Sequence, residues 1–106
     1  TGFPLNITVA EAAKMQAQGA FILDVRQDWE WKWGHIPGST LIPLGQLAGR
    51  VAEVPRDRDV VVVCRSGHRS AKGRDILLKA GFTRVTSMDG GVKQWETEGH
   101  PIVSGK

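Results

Sequence analysis

The sequence contains only one cysteine, Cys64, among its 106 residues. A single thiol excludes an internal disulfide, a two-cysteine redox centre and a cysteine-rich zinc site. Long apolar runs are also missing, because none approaches the roughly 20 residues that cross a bilayer. The N-terminus lacks the basic and then apolar pattern of a signal peptide. These absences leave a globular protein that has one thiol for chemistry and no covalent cross-link.

A strong excess of charge of one sign is absent as well. The 14 Lys and Arg against 11 Asp and Glu give a formal net charge of +3. No run of five or six like charges occurs, so a tail that binds nucleic acid is not expected. The positive residues instead concentrate around the cysteine, at Arg58, Arg65, His68, Arg69, Lys72 and Arg74. Such a local concentration suits a small anion better than a polymer backbone.

The length predicts one domain over residues 1–106, because domains cluster near roughly 100–150 residues. A chain of this size buries enough surface for a core of its own. The sequence has no repeat and no low-complexity tract, and it begins with Thr1 and not with methionine. We expect a cytoplasmic protein with no membrane partner. The missing initiator methionine makes an exported mature domain, such as a periplasmic one, the alternative.

Strand-like and helix-like segments alternate along the chain. Thr8 and Glu11 form a capping-box pattern that starts a helix. Strands are predicted at 20–25, 41–42, 59–64 and 84–88, and helices at 8–18, 44–54, 69–80 and 90–99. This order predicts an α/β fold in which a parallel sheet lies between layers of helices. Ligands bind to such folds beyond the carboxyl ends of the strands, and Cys64 ends the strongest strand.

The segment CRSGHRS, residues 64–70, predicts a reactive thiolate. Backbone N–H groups of so short a loop should point inward as an anion nest, and Gly67 permits the conformations that this requires. The positive end of the next helix and the side chains of Arg65, His68 and Arg69 add to the effect. Such surroundings lower a cysteine pKa from about 8.5 to roughly 3.5–7.5. The alternative is an inert core cysteine that only packs.

The spacing of the arginine in this segment argues against a phosphatase. Cysteine phosphatases place an arginine six positions after the cysteine, where it grips two phosphate oxygens. The sixth position after Cys64 is Ser70, and the arginine comes one residue earlier, at Arg69. The shorter loop encloses a smaller space around the sulfur. That space suits a persulfide better than a phosphoryl group.

Several ordered blocks of the sequence resemble the rhodanese (thiosulfate sulfurtransferase) family in its single-domain form. They are ILDVR (22–26), Glu30, GHIPGS (34–39), CRSGHRS (64–70) and DGGVKQW (89–95). The resemblance implies a rhodanese-like three-layer sandwich with a mostly parallel five-stranded sheet and helices on both faces. It also implies that Cys64 takes a sulfane sulfur from thiosulfate and holds it as a persulfide, with no cofactor and no metal.

The resemblance assigns a role to each residue of the cysteine segment. Cys64 would be the catalytic nucleophile, and the substrate-binding residues would be Arg65, Ser66, Gly67, His68, Arg69 and Ser70. The sulfur would pass to cyanide, a small thiol or a protein thiol. Asp24 and Arg26 would support the loop by ion pairing, or would form an ordinary surface ion pair. A relay module that takes persulfide from a protein donor, and a docking domain without catalysis, are the alternative functions.

The segment DWEWKW departs from the family pattern through its additional tryptophans. The position of Trp31 commonly holds an inward-facing Phe or Tyr in the family, whereas Trp29 and Trp33 are additional. One helix face cannot bury all three rings, so at least one should be exposed. The exposed rings would either be incidental or form an aromatic rim beside the cysteine. In the second case Trp33 is the candidate for contact with an acceptor protein or an apolar thiol.

Overall fold

The computed structural model describes residues 2–105, and within them five strands form one sheet in the order β1–β5–β4–β2–β3. The strands are β1 (Asn6–Ile7), β2 (Phe21–Asp24), β3 (Thr40–Leu41), β4 (Val60–Val63) and β5 (Val85–Met88). All four neighbouring pairs are parallel. The predicted α/β class and the five-stranded sheet are therefore confirmed, with β4 at the centre of the sheet.

In the described part of the chain, five α-helices connect and cover the strands. They are α1 (Val9–Ala17), α2 (Asp28–Trp33), α3 (Leu44–Leu47), α4 (His68–Lys79) and α5 (Gly91–Thr97). The hydroxyl of Thr8 accepts a hydrogen bond from the Glu11 amide, and the Glu11 carboxylate accepts one from the Thr8 amide. The predicted capping box is thus formed, and it starts α1 at the expected residue.

The core consists of two apolar clusters on opposite faces of the sheet. Val61 and Val63 of β4 pack with residues of α1 and α5. Val60 and Val62 point to the other face and pack with residues of α3 and α4. An uninterrupted apolar strand of this kind requires cover on both faces, which explains the run of four valines. The alternation places helices on both sides of β4 and fixes its carboxyl end between α4 and α5.

The single helix predicted over 44–54 is wrong in extent. The segment forms α3 and then a separate 3₁₀ turn at Val51–Glu53. Between them, the amides of Gly49 and Arg50 bond to carbonyls three residues earlier, which tightens the backbone. Leu47 and Val54 are both buried on the sheet. The break, helped by the poor helix propensity of Gly49, lets both side chains reach the core.

Two short elements were not among the predicted segments. The strand β1 has only two residues, which is too short for any periodicity to reveal. The helix α2 contains three tryptophans and only one buried residue, Glu30, so it lacks the apolar stripe of an ordinary surface helix. Within residues 2–105, no helix has the length and apolar character that crossing a membrane requires.

Candidate active site

Cys64 lies directly after β4, at the carboxyl edge of the sheet, and its side chain is buried. Three residues, Arg65 to Gly67, connect it to α4, which begins at His68. Gly67 has φ +113°, a conformation that side chains with a Cβ rarely adopt. This turn folds the loop back over the sulfur. The nucleophile predicted from the sequence is therefore enclosed by its own loop.

Two carbonyl groups at the start of the loop point toward α5. The carbonyl of Cys64 accepts a hydrogen bond from the Val92 amide at 2.8 Å, and that of Arg65 accepts one from the Lys93 amide at 3.2 Å. Gly91 packs closely against these two carbonyls, and a Cβ at this position would collide with them. These two carbonyls are thus bonded to α5, whereas the amides of Ser66 and Gly67 face the sulfur.

Hydrogen bonds converge on the Cys64 sulfur. The Gly67 amide donates to Sγ at 3.1 Å, and Sγ lies 3.5 Å from the hydroxyl oxygen of Ser70. Burial raises the pKa of the Cys64 thiol, but hydrogen bonds from the Ser70 hydroxyl and from the amides of Ser70, Gly67 and Ser66 outweigh it. The pKa of Cys64 therefore lies below the ordinary value of a thiol. This environment favours the nucleophilic thiolate.

Ser70 connects the sulfur to β5. Its hydroxyl oxygen lies 2.7 Å from that of Ser87, and both side chains are buried. The three groups form a chain from Cys64 through Ser70 to Ser87. Ser87 was not among the residues predicted from the sequence. No motif marks it, since it reaches the site only because β5 lies next to β4 in the sheet.

Arg69 binds a carboxylate of its own protein. Its Nη1 and Nη2 atoms donate to the two oxygens of Glu30 at 2.7 and 2.9 Å. The Arg69 hydrogen bonds hold the pKa of Glu30 at about 2, against the opposing effect of burial. This pair joins the first turn of α4 to α2. Glu30 is one of the residues that resemble the family, but no sequence pattern predicted it as the partner of Arg69.

Asp24 and Arg26 form a buried ion pair. Their closest charged atoms are 2.8 Å apart, and Arg26 also donates to the Gly34 carbonyl at 2.7 Å. The alternative of an ordinary surface ion pair is therefore wrong, because neither side chain is exposed. The pair fixes the end of α2 and makes no described hydrogen bond to the cysteine loop.

The remaining residues of the cysteine segment are open to solvent. Arg65, Ser66 and His68 are exposed. Arg65 makes no ion pair or side-chain hydrogen bond with the described residues, so its guanidinium is available to a ligand. Among residues 2–105, no group of three or more His, Cys, Asp and Glu side chains is placed to hold a metal ion.

The three tryptophans of α2 have different environments. Trp31 is half-buried and stacks on His35, with ring centroids 3.6 Å apart. Trp29 and Trp33 are 66% and 84% exposed. These two rings confirm the prediction that at least one of the three is exposed. Both rings also line a cavity of about 520 Å³, and Arg65 lines the same cavity. The exposed rings therefore lie beside the cysteine loop.

Comparisons with known proteins agree on one family. Residues 8–98 match the family model of the Rhodanese-like domain. A "Sulfurtransferase" of Allochromatium vinosum is 37% identical over 82% of this chain and 81% of that protein. "Thiosulfate sulfurtransferase GlpE" of Pseudomonas syringae is 34% identical over 87% of each chain. A rhodanese-related protein of Thermoplasma volcanium has a similar crystal structure, with a TM-score of 0.86 and 30% identity over 94% of this chain and 98% of that one.

Other relatives are longer than this chain. "Putative sulfur carrier protein YrkF" of Bacillus subtilis is 36% identical over 70% of this chain, but the match covers only 40% of that protein. The same kind of domain therefore occurs both as most of a protein and as part of a larger one.

Proposed function

Because the chain belongs to the rhodanese-like domain family, we propose that it is a sulfurtransferase in which Cys64 carries the transferred sulfur as a persulfide. The observation that supports this most directly is the hydrogen-bonded cradle around the Cys64 sulfur. The donors that stabilise a thiolate also stabilise the terminal sulfur of a persulfide anion. The relatives named as sulfurtransferases have activities of the same class.

Thiosulfate is the proposed sulfur donor. The Cys64 thiolate attacks the outer sulfur of thiosulfate, and a new S–S bond forms between that sulfur and Sγ. The S–S bond of thiosulfate breaks, and its electron pair leaves with sulfite. The products are a Cys64 persulfide anion and sulfite, so the total charge of −3 is unchanged. No external oxidant or reductant is needed.

The loop residues support this step in different ways. Arg65 follows Cys64 directly, is exposed and has no ion pair with the described residues, and it binds the sulfonate oxygens of thiosulfate. The amides of Ser66, Gly67 and Ser70 stabilise negative charge on the attacking and transferred sulfur atoms. Arg69 adds positive potential although Glu30 binds its guanidinium. His68 is exposed at the start of α4, on the solvent side of the loop.

Intact-mass measurement tests the proposal. Incubation with thiosulfate should add the mass of one sulfur atom to the protein and release one sulfite per protein molecule. The Cys64→Ser variant should show neither change. If the wild-type protein gains no sulfur although Cys64 is reduced, thiosulfate is not its donor. A sulfur gain that persists in Cys64→Ser would refute the persulfide on Cys64.

A sulfur relay between proteins is the second candidate. The relative named as a putative sulfur carrier favours it. In this case the protein would gain sulfur from a persulfidated donor protein and not from thiosulfate. The same mass measurement, made with such a donor, distinguishes the two functions. A docking domain without catalysis is a weaker alternative, because packing and docking need no hydrogen-bonded cradle around the thiol.

A further inference from the structure

The cavity beside the cysteine loop is larger than a sulfur donor requires. It has a volume of about 520 Å³ and lies between α2 and α5, with Trp29 and Trp33 on one side and Lys93 and Glu96 on the other. Arg65 also lines it. Pockets for small organic ligands have volumes of about 300–1,000 Å³. Thiosulfate is a five-atom anion with no apolar surface, so it leaves most of this groove unused.

The two exposed tryptophans contribute little to the fold. Trp29 and Trp33 are the large apolar residues with the greatest exposure among residues 2–105, at 66% and 84%. The helix that carries them is held without their help, by the capping contact of Glu30 with the Gln27 amide and by the Glu30–Arg69 pair. Exposed aromatic rings on a rigid helix offer a large, flat contact surface at a low cost in conformational entropy.

The charges in the groove favour an anion. The guanidinium of Arg26 is neutralised by Asp24, and the carboxylate of Glu30 by Arg69. The charged groups that line the groove without a described ion pair are Arg65, Lys93 and Glu96, which together have one net positive charge. Arg65 follows Cys64 directly in the chain. One of the two cations therefore belongs to the residue next to the cysteine, and the tryptophan rings lie along α2.

We propose that this groove binds the sulfur acceptor, and that the acceptor is a low-molecular-weight thiol that has a carboxylate near its sulfur and an aromatic or flat apolar body. The proposal rests on the proposed sulfur transfer through Cys64. The carboxylate binds to Arg65 and Lys93, and the apolar body packs on Trp29 and Trp33. This arrangement brings the acceptor sulfur to the part of the groove lined by Arg65, the residue that follows Cys64 in the chain.

The transfer step balances without a further reactant. The acceptor thiol first gives its proton to the Cys64 persulfide anion. The acceptor thiolate then attacks the outer sulfur of the protonated persulfide, and an S–S bond forms between the acceptor and that sulfur. The bond between Sγ and the outer sulfur breaks, and its electron pair returns to Sγ. The products are the acceptor persulfide and the Cys64 thiolate, which is stabilised again by its cradle.

Four thiols separate the contributions of the ring and the carboxylate. 2-Mercapto-3-phenylpropanoate has both groups, thiolactate has the carboxylate alone, 2-phenylethanethiol has the ring alone, and 2-mercaptoethanol has neither. The protein is first loaded with sulfur, and the second-order rate constant of unloading is measured for each thiolate. If thiosulfate fails to load Cys64, polysulfide is used, so the failure of the proposed donor is detected separately from this test.

In the wild-type protein, the ring and the carboxylate of the thiol should each increase the rate constant of unloading, and the ring should do so by about tenfold. Trp33→Ala and Trp29→Ala should remove most of the advantage of the ring and leave that of the carboxylate. Lys93→Gln should reduce only the increase in the rate constant that the carboxylate gives, and should leave the increase from the ring unchanged. Leu5→Ala, which removes an exposed apolar side chain outside the groove, is the matched control and should change nothing. Loading with thiosulfate should be unchanged in the tryptophan variants.

Two results would overturn the proposal. The first is a wild-type protein that unloads to all four thiols at rates explained by their intrinsic reactivity, which would make the groove irrelevant to small thiols. This result would also be expected if the rings bind an acceptor protein instead. The second is a ring advantage that survives in both tryptophan variants, since the ring would then bind elsewhere.

Discussion

The hydroxyl oxygens of Ser70 and Ser87 lie 2.7 Å apart in the interior of the protein, and Ser70 also lies 3.5 Å from the Cys64 sulfur. When Cys64 is a thiolate, Ser70 donates to the sulfur and Ser87 donates to Ser70. When Cys64 is a thiol, it donates to Ser70, which donates to Ser87. The proton of Ser87 then has no acceptor among the described residues. A buried donor without a partner costs about 1–3 kcal/mol, so the serine pair favours the thiolate.

Ser87→Ala should raise the pKa of Cys64 by about half a unit to one unit, because one hydrogen bond is worth about 0.5–1.5 kcal/mol and one pKa unit is 1.36 kcal/mol. Ser70→Ala removes the direct donor and should raise the pKa further. Thiolate absorbance in the ultraviolet, followed against pH, measures both values. An unchanged or lowered pKa in Ser87→Ala would show that the hydroxyl chain does not act on the sulfur.

Thr86→Val should stabilise the protein by about 1 kcal/mol. The hydroxyl of Thr86 is buried and has no hydrogen-bond partner in the described part of the chain, and valine has nearly the same shape. Chemical denaturation measures the change in the free energy of unfolding. The same variant is a matched control for Ser87→Ala, since it removes a neighbouring hydroxyl and should leave the pKa of Cys64 unchanged. A loss of stability would indicate that the hydroxyl has a partner.

Glu30→Gln should destabilise the protein by about 2 kcal/mol, between the values for surface pairs and for fully buried pairs. The carboxylate of Glu30 is buried, whereas the Arg69 side chain is about a third exposed. Loss of the pair should also loosen α2 against α4. The free energy of unfolding at neutral pH measures the effect. Asp28→Asn, which breaks an exposed pair with Lys32 on the same helix, is the control and should cost far less.

The Glu30–Arg69 pair should also make stability depend on pH. The folded pKa of Glu30, about 2, lies below the ordinary value of 4.5 that we take for the unfolded chain. The stabilisation is therefore fully present above about pH 5 and is lost as the pH falls toward 2. Between these values the wild-type protein should lose more stability than Glu30→Gln does. Parallel pH dependences of the two proteins would contradict this assignment.

Gly91→Ala should damage both the fold and the site. Gly91 has φ +64°, and a methyl group there would collide with the backbone carbonyls of Cys64 and Arg65. We expect a loss of about 3 kcal/mol or more in the free energy of unfolding and at least a tenfold slower persulfide formation. Gly99→Ala is the control: it has φ +88° but free space around it, so only backbone strain of about 1 kcal/mol should appear. If the two substitutions had equal effects, the collision of the added methyl group with the carbonyls of Cys64 and Arg65 would not be the cause of the loss.

The main elements of the fold could be predicted because their causes are local. The Thr8–Glu11 box starts a helix through contacts three residues apart. The four valines of β4 indicate a strand covered on both faces. The break between α3 and the 3₁₀ turn could not be predicted, because the helical spacing of the apolar residues continues through it. Its position depends on how Leu47 and Val54 reach the sheet.

Local sequence patterns are therefore enough to predict the α/β order, the central strand and the position of Cys64 at the carboxyl end of that strand, before a helix. These features follow from burial patterns and backbone preferences of neighbouring residues. Which groups meet at this site depends on the packing of the folded chain. Ser87 reaches Ser70 because β5 pairs with β4, and Glu30 meets Arg69 across 39 residues of chain. Such contacts depend on the packing of distant elements, which no local pattern records.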